Sequence, residues 1–172
     1  MPAASDSSRN SCKHNLAVEI LRTTGTLRLT AFGYSMLPAL WPGEVLTVKT
    51  KSLDQIQRGD IVLFARAGRF FIHRTLGQAK TNSELRLVTR GDAMPQPDEP
   101  VTADELLGII ERVERGSRQV AVPACTVVRR CAGLLLAYSC RARSLALRWR
   151  AWRSPAAQTM PPDVVSDQLW VR

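Results

Sequence analysis

The sequence predicts a mostly β domain of α+β type, preceded by a short helix and followed by an amphipathic one. Three observations predict it. Apolar and polar residues alternate from Thr26 onward, and Gly, Pro and Asp clusters cut the middle of the chain into short runs. An arginine-flanked apolar stripe then begins where acidic residues stop, none occurring between Glu114 and Asp163. With 172 residues and 45% apolar content, the chain supports one core plus extensions rather than two domains.

Residues 1–13 are rich in Ser, Ala and charge without apolar periodicity, the pattern of a disordered tail. Asn15 suits the N-cap of a short helix in which Leu16, Ile20 and Leu21 share a face, and Gly25 is placed to end it. From Thr26 to Phe32 the period becomes two, with Leu27, Leu29 and Ala31 alternating with Thr26, Arg28 and Thr30. This strand runs directly into Gly33-Tyr34-Ser35. Further strands are expected at Val45 to Val48, Ile61 to Ala65, Phe70 to Thr75, Leu85 to Thr89 and Leu107 to Val113. Pro42-Gly43, Arg58-Gly59-Asp60, Gly77 and Gly91-Asp92 are expected to separate them. The β domain with its leading helix is therefore assigned to residues 14–122.

After Pro123 the sequence predicts one basic amphipathic helix over 123–153. Val127, Cys131, Leu134, Tyr138, Ala142, Leu145 and Trp149 share a face, with Arg129, Arg130, Arg141, Arg143, Arg148 and Arg150 on its flanks and back; Arg153 departs from the pattern. Residues 154–172 carry three prolines and scattered apolar residues, and are expected to form a weakly ordered tail.

Lys and Arg number 24 against 15 Asp and Glu, a net charge of +9 that calls for a polyanionic partner, either nucleic acid or an anionic membrane surface. No run of about 18 apolar residues could span a bilayer, and the polar N-terminus lacks the apolar core of a secretory signal. Residence on the cytoplasmic side is expected, with peripheral membrane contact through residues 127–153. There the arginines flank a stripe that includes Tyr138, Trp149 and Trp152, as suits an anionic interface. The same stripe equally suits packing on the β domain or on a partner protein. Cys12, Cys125, Cys131 and Cys140 show neither CxxC spacing nor a histidine at ligand spacing. They read as reduced, mostly buried thiols, and no metal or other cofactor is expected.

Serine becomes a nucleophile only when a neighbouring base takes its proton and amide donors face the developing oxyanion. A strand that stops at glycine and turns sharply presents both, and Gly33-Tyr34-Ser35-Met36-Leu37-Pro38 has this form, Pro38 stiffening the chain past Ser35. Alone, the segment is equally a turn that happens to contain a serine. His73 alone is equally a core histidine on a strand, and Asp92 alone an ordinary turn residue.

Together, Gly33-Tyr34-Ser35-Met36-Leu37-Pro38, Trp41-Pro42-Gly43-Glu44, Arg58-Gly59-Asp60-Ile61-Val62, Phe71-Ile72-His73-Arg74 and Thr89-Arg90-Gly91-Asp92 resemble, in order and spacing, the signal-peptidase and repressor-peptidase superfamily. The resemblance covers residues 26 to about 115. Its bases are lysine or histidine, and His73-Arg74 is similar to the histidine-using branch of archaeal and endoplasmic-reticulum signal peptidases. The resemblance implies a serine endopeptidase acting on a peptide or preprotein, with Ser35 as nucleophile and His73 as base. An imidazole, with an ordinary pKa of about 6.5, can accept the serine proton at neutral pH. A histidine base needs a carboxylate to fix its tautomer. The resemblance favours Asp98 for this and gives Asp92 a shaping role, with Asp92 as the alternate orienting group. Two departures stand out: Gly33-Tyr34 replaces the usual Ser-Gly, removing a hydroxyl that could assist the oxyanion hole, and the family's membrane anchor before the first strand is missing.

Two other functions share these features. One is a non-catalytic module that binds extended peptides by strand addition. The other is a self-cleaving DNA-binding regulator, against which stand the histidine base and the absence of a helix-turn-helix before the peptidase-like region. Its Ala132-Gly133 bond also lies inside the expected helix.

Overall fold

The computed structural model describes residues 16–81, 84–124, 126–139 and 144–149; the tails expected at 1–13 and 154–172 lie outside the described residues. Its architecture is mostly β. A helix over residues 16–24 (α1) ends where Gly25, at φ +69°, donates its amide to the Leu21 carbonyl. The strands are β1 (Thr26–Thr30), β2 (Val45–Lys49), β3 (Ile61–Arg66), β4 (Arg69–Thr81), β5 (Glu84–Arg90), β6 (Leu106–Arg115) and β7 (Arg118–Val120). A 3-10 turn at Leu53–Gln55 precedes β3, and α2 (Val127–Tyr138) follows the last strand.

All seven strands join one antiparallel sheet in the order β1-β2-β6-β3-β4-β5, with β7 added to β6. Side chains of a strand alternate between faces, so the unbroken apolar run Ile61-Val62-Leu63-Phe64 requires β3 to be covered on both. Ile61 and Leu63 join Leu46, Val48, Ile110 and Val113 in one core cluster. Val62 and Phe64 join Leu53, Ile56, Leu87 and Val101 in the other.

Four expectations from sequence need correction. Gly77 does not separate strands: it lies inside the 13-residue β4, where the register against β5 shifts between Thr75 and Gly77. A glycine in a strand interior marks a bulge as readily as a turn. In α1 only Leu21 is buried, whereas Leu16 is 60% exposed and Ile20 lies at the surface, because a single turn of so short a helix meets the core. Cys131 is a free, exposed thiol rather than a buried one; Cys12, Cys125 and Cys140 lie outside the described residues.

The fourth correction concerns the C-terminal helix. Where one helix was expected over 123–153, α2 ends at Tyr138 and a separate helical stretch covers 144–149. Cys131, Leu145 and Trp149 of the expected stripe are exposed, Leu134 is partly buried, and among the described side chains of α2 the fully buried position is Gly133. A glycine lets a helix approach another backbone more closely than any side-chain stripe can, a contact that apolar periodicity does not register.

Candidate active site

Ser35 sits just past the end of β1 in a turn over residues 33–40. The start of this turn is fixed by Ala31, whose amide donates to Glu44 O and whose carbonyl accepts from Gly43 N. Glu44 is buried; one carboxylate oxygen accepts from the Trp41 amide at 3.0 Å and the other meets Arg115 Nε at 2.7 Å. The Trp41-Pro42-Gly43-Glu44 block thus closes the loop that carries the serine. From the other side, the Ala93 amide donates to Ser35 O at 2.8 Å. Gly91 permits that approach, since a Cβ there would lie 2.6 Å from Ser35 O and 2.7 Å from Met94 Cγ.

His73 lies on β4 opposite Val62 of β3, and 6% of it is exposed. Its ring is walled by Phe64 and Phe71, with centroids 6.0 and 6.2 Å away. Nε2 is 3.1 Å from Ser35 Oγ, and Nδ1 is 2.7 Å from Asp98 Oδ2. An ionised carboxylate can only accept, so Nδ1 carries the ring proton and Nε2 is left to accept from the serine hydroxyl. The structure therefore brings Ser35, His73 and Asp98 into one hydrogen-bonded row.

Asp92, the alternate partner for the ring, does not reach it. Both its oxygens accept from Arg74, Nε to Oδ1 and Nη2 to Oδ2, each at 2.8 Å, and the pair is almost wholly buried. Adjacent residues of a strand face opposite ways, so Arg74 and its carboxylate occupy the side of β4 away from the imidazole. Arg74 Nη1 also donates to Gly59 O, which ties the Arg58-Gly59-Asp60 turn to the same pair.

Two supports of Asp98 went unrecognised in the sequence. Thr89 Oγ1 donates to Asp98 Oδ2 at 2.7 Å while the Asp98 amide donates to Thr89 O. A fully buried threonine on an alternating strand carries no sequence signal beyond its place in the Thr89-Arg90-Gly91-Asp92 block. Arg66 holds the loop beyond Asp98: Nη1 and Nη2 donate to the carbonyls of Glu99 and Pro100, and Nε and Nη2 pair with both oxygens of Glu105 at 2.6 Å. The hydrogen bond to Arg66 keeps the Glu105 carboxyl below its ordinary range, and the bond to Glu105 raises Arg66 in turn.

Chemically, the row offers a hydroxyl, a base aimed at it and a carboxylate behind the base. The Ser35 and Met36 amides hydrogen-bond to no other described residue. Among the described residues, no three His, Cys, Asp or Glu side chains gather where a metal ion could sit. A scan against protein-family models and a search of the curated proteins each return no match to this chain.

Proposed function

We propose that the chain is a serine endopeptidase of signal-peptidase type, cleaving a peptide or preprotein through an acyl-enzyme on Ser35. The row Ser35 Oγ, His73 Nε2, His73 Nδ1 and Asp98 Oδ2, at 3.1 and 2.7 Å, carries this reading. In the first half-reaction Nε2 takes the Ser35 proton as Oγ bonds to the scissile carbonyl carbon. The tetrahedral adduct collapses, the C–N bond breaks, and Nε2 hands its proton to the leaving amine. Water then attacks the ester, His73 takes its proton, the C–Oγ bond breaks and Oγ recovers a proton from Nε2. In both halves Asp98 balances the imidazolium charge.

The amides of Ser35 and Met36, which bond to no other described residue, are the natural donors for the oxyanion, and with Gly33-Tyr34 before the serine they act without a hydroxyl. Losing one such donor costs about 10²-fold or more in rate. A fluorophosphonate probe tests the assignment: the folded chain is labelled, Ser35→Ala is not, and His73→Ala reacts at a small fraction of the rate. A folded chain that stays unlabelled but binds an extended peptide is instead a non-catalytic peptide-binding module.

The enzyme would work at an anionic membrane surface. Val128 and Leu135 of α2 are 78% and 68% exposed, on a segment with seven arginines between Arg129 and Arg153. Among the described residues no helix is long and apolar enough to cross a membrane. Co-sedimentation with anionic but not neutral vesicles supports this placement, and salt-sensitive retention on DNA without vesicle binding excludes it.

A further inference from the structure

At Gly133, α2 meets the candidate site. A Cβ built on Gly133 would lie 2.6 Å from Leu37 O, closer than a side chain and a backbone carbonyl approach, and a tight 3.0 Å from Asp92 O. These carbonyls belong to the two turns that hold the nucleophile. Leu37 follows Ser35 by two residues, and its amide closes that turn on Tyr34 O. Asp92 lies between Gly91, which is pressed against Ser35, and Ala93, whose amide holds Ser35 O; its side chain anchors Arg74 beside His73. The other flank of the helix is open, with Val128, Cys131 and Leu135 at i, i+3 and i+7 all exposed. At Gly133 a side-chain-free point of contact sets how closely α2 sits.

The geometry points to Gly133 as a positioning residue: it lets α2 seat against both turns at once and so holds the Ser35 hydroxyl within reach of His73 Nε2. This rests on the peptidase reading for its catalytic consequence, though the seat itself is geometric. The contact offers no slack, because both atoms that a methyl would meet are backbone oxygens. Gly133→Ala must therefore lift the helix or shift a turn by several tenths of an ångström. A shift of that size matters to proton transfer across 3.1 Å far more than to contacts made away from the reacting atoms.

The test is Gly133→Ala in the full chain, with Leu16→Ser, an exposed leucine of α1, as control. Three readouts apply: thermal midpoint, fluorophosphonate labelling with KM and kcat on a peptide, and the imidazole ¹⁵N signals of His73. The seat predicts for Gly133→Ala a fall of at least tenfold in labelling rate and kcat with KM within twofold, and displaced His73 signals; Leu16→Ser matches the parent in each. Alanine is the better helix former, so a helix that does not seat on the turns gains stability from Gly133→Ala. A raised midpoint with unchanged His73 signals overturns the inference, as does a KM rise at constant kcat. If Gly133→Ala fails to fold, Ala132→Gly, which weakens α2 by about 1 kcal/mol without adding an atom at the seat, is read by the same signals, displaced His73 resonances being expected and unchanged ones overturning the seat. A parent chain that is never labelled removes the peptidase reading alone, since the His73 signals still decide the seat.

Discussion

The two aspartates near His73 have separable jobs, and exchanging each for a neutral residue should separate them in opposite directions. Asp92 is buried with Arg74 in a two-pronged pair, both side chains at most 6% exposed. Asp92→Ala leaves a guanidinium stranded in the interior, a loss of about 3–5 kcal/mol. For a domain of this size that lowers the thermal midpoint by roughly 12 °C or more. Asp98 is part exposed at 22% and accepts from both Nδ1 and Thr89 through one oxygen. Asparagine keeps that oxygen, so Asp98→Asn leaves the fold nearly intact, within about 1 kcal/mol. It removes the negative charge behind the ring when the imidazolium forms. A unit charge about 4 Å away at an effective dielectric of about 20 contributes roughly 4 kcal/mol, or about 10³-fold in rate. Thermal melts and fluorophosphonate labelling on both variants provide the assay. If Asp92→Ala keeps its midpoint but loses labelling, or Asp98→Asn melts early and labels normally, the assignment is refuted.

Removing the hydroxyl that steadies Asp98, as in Thr89→Val, should lower the labelling rate about tenfold at a stability loss of about 1 kcal/mol, and an unchanged rate removes Thr89 from the row. Gly91→Ala forces a methyl against Ser35 O and Met94, so labelling should drop sharply with a loss of about 1–3 kcal/mol; parent-like melting and labelling would disprove the close approach. The Glu105 carboxyl has a folded pKa below its ordinary value, so its pair with Arg66 stabilises the fold above the unfolded-state pKa and is lost as pH falls through the folded one. The gap in thermal midpoint between the parent and Glu105→Gln should accordingly be full above about pH 5 and shrink as pH falls below the ordinary glutamate value of about 4.3 and through the lowered folded one, and a gap that stays constant through the whole acid range contradicts the pairing.

The alternation in Thr26 to Phe32 and the short runs cut by Gly and Asp were enough to find six of the strands, because a half-buried strand writes its two faces directly into sequence. Ends were less legible: β4 runs on through Gly77 to Thr81, since a bulge and a turn look alike until the partner strand is known. The three-residue β7 was too short to show a period.

Ser35 and His73 were nameable from the five blocks and the resemblance they carry favoured Asp98, yet neither period nor composition separates Asp98 from Asp92. Six residues apart on one loop, they are divided by which face of β4 each meets, the imidazole on one and the Arg74 guanidinium on the other. Sequence by itself determined the β character, the chemistry available and the charge of the C-terminal segment, because composition and period reflect local preference and burial. Tertiary structure alone decided the pairings: Thr89 under Asp98, Arg66 across its loop, and Gly133 against the turns that hold Ser35. Those contacts join residues distant along the chain, and hydrogen-bond geometry and close approach leave no periodic trace in it.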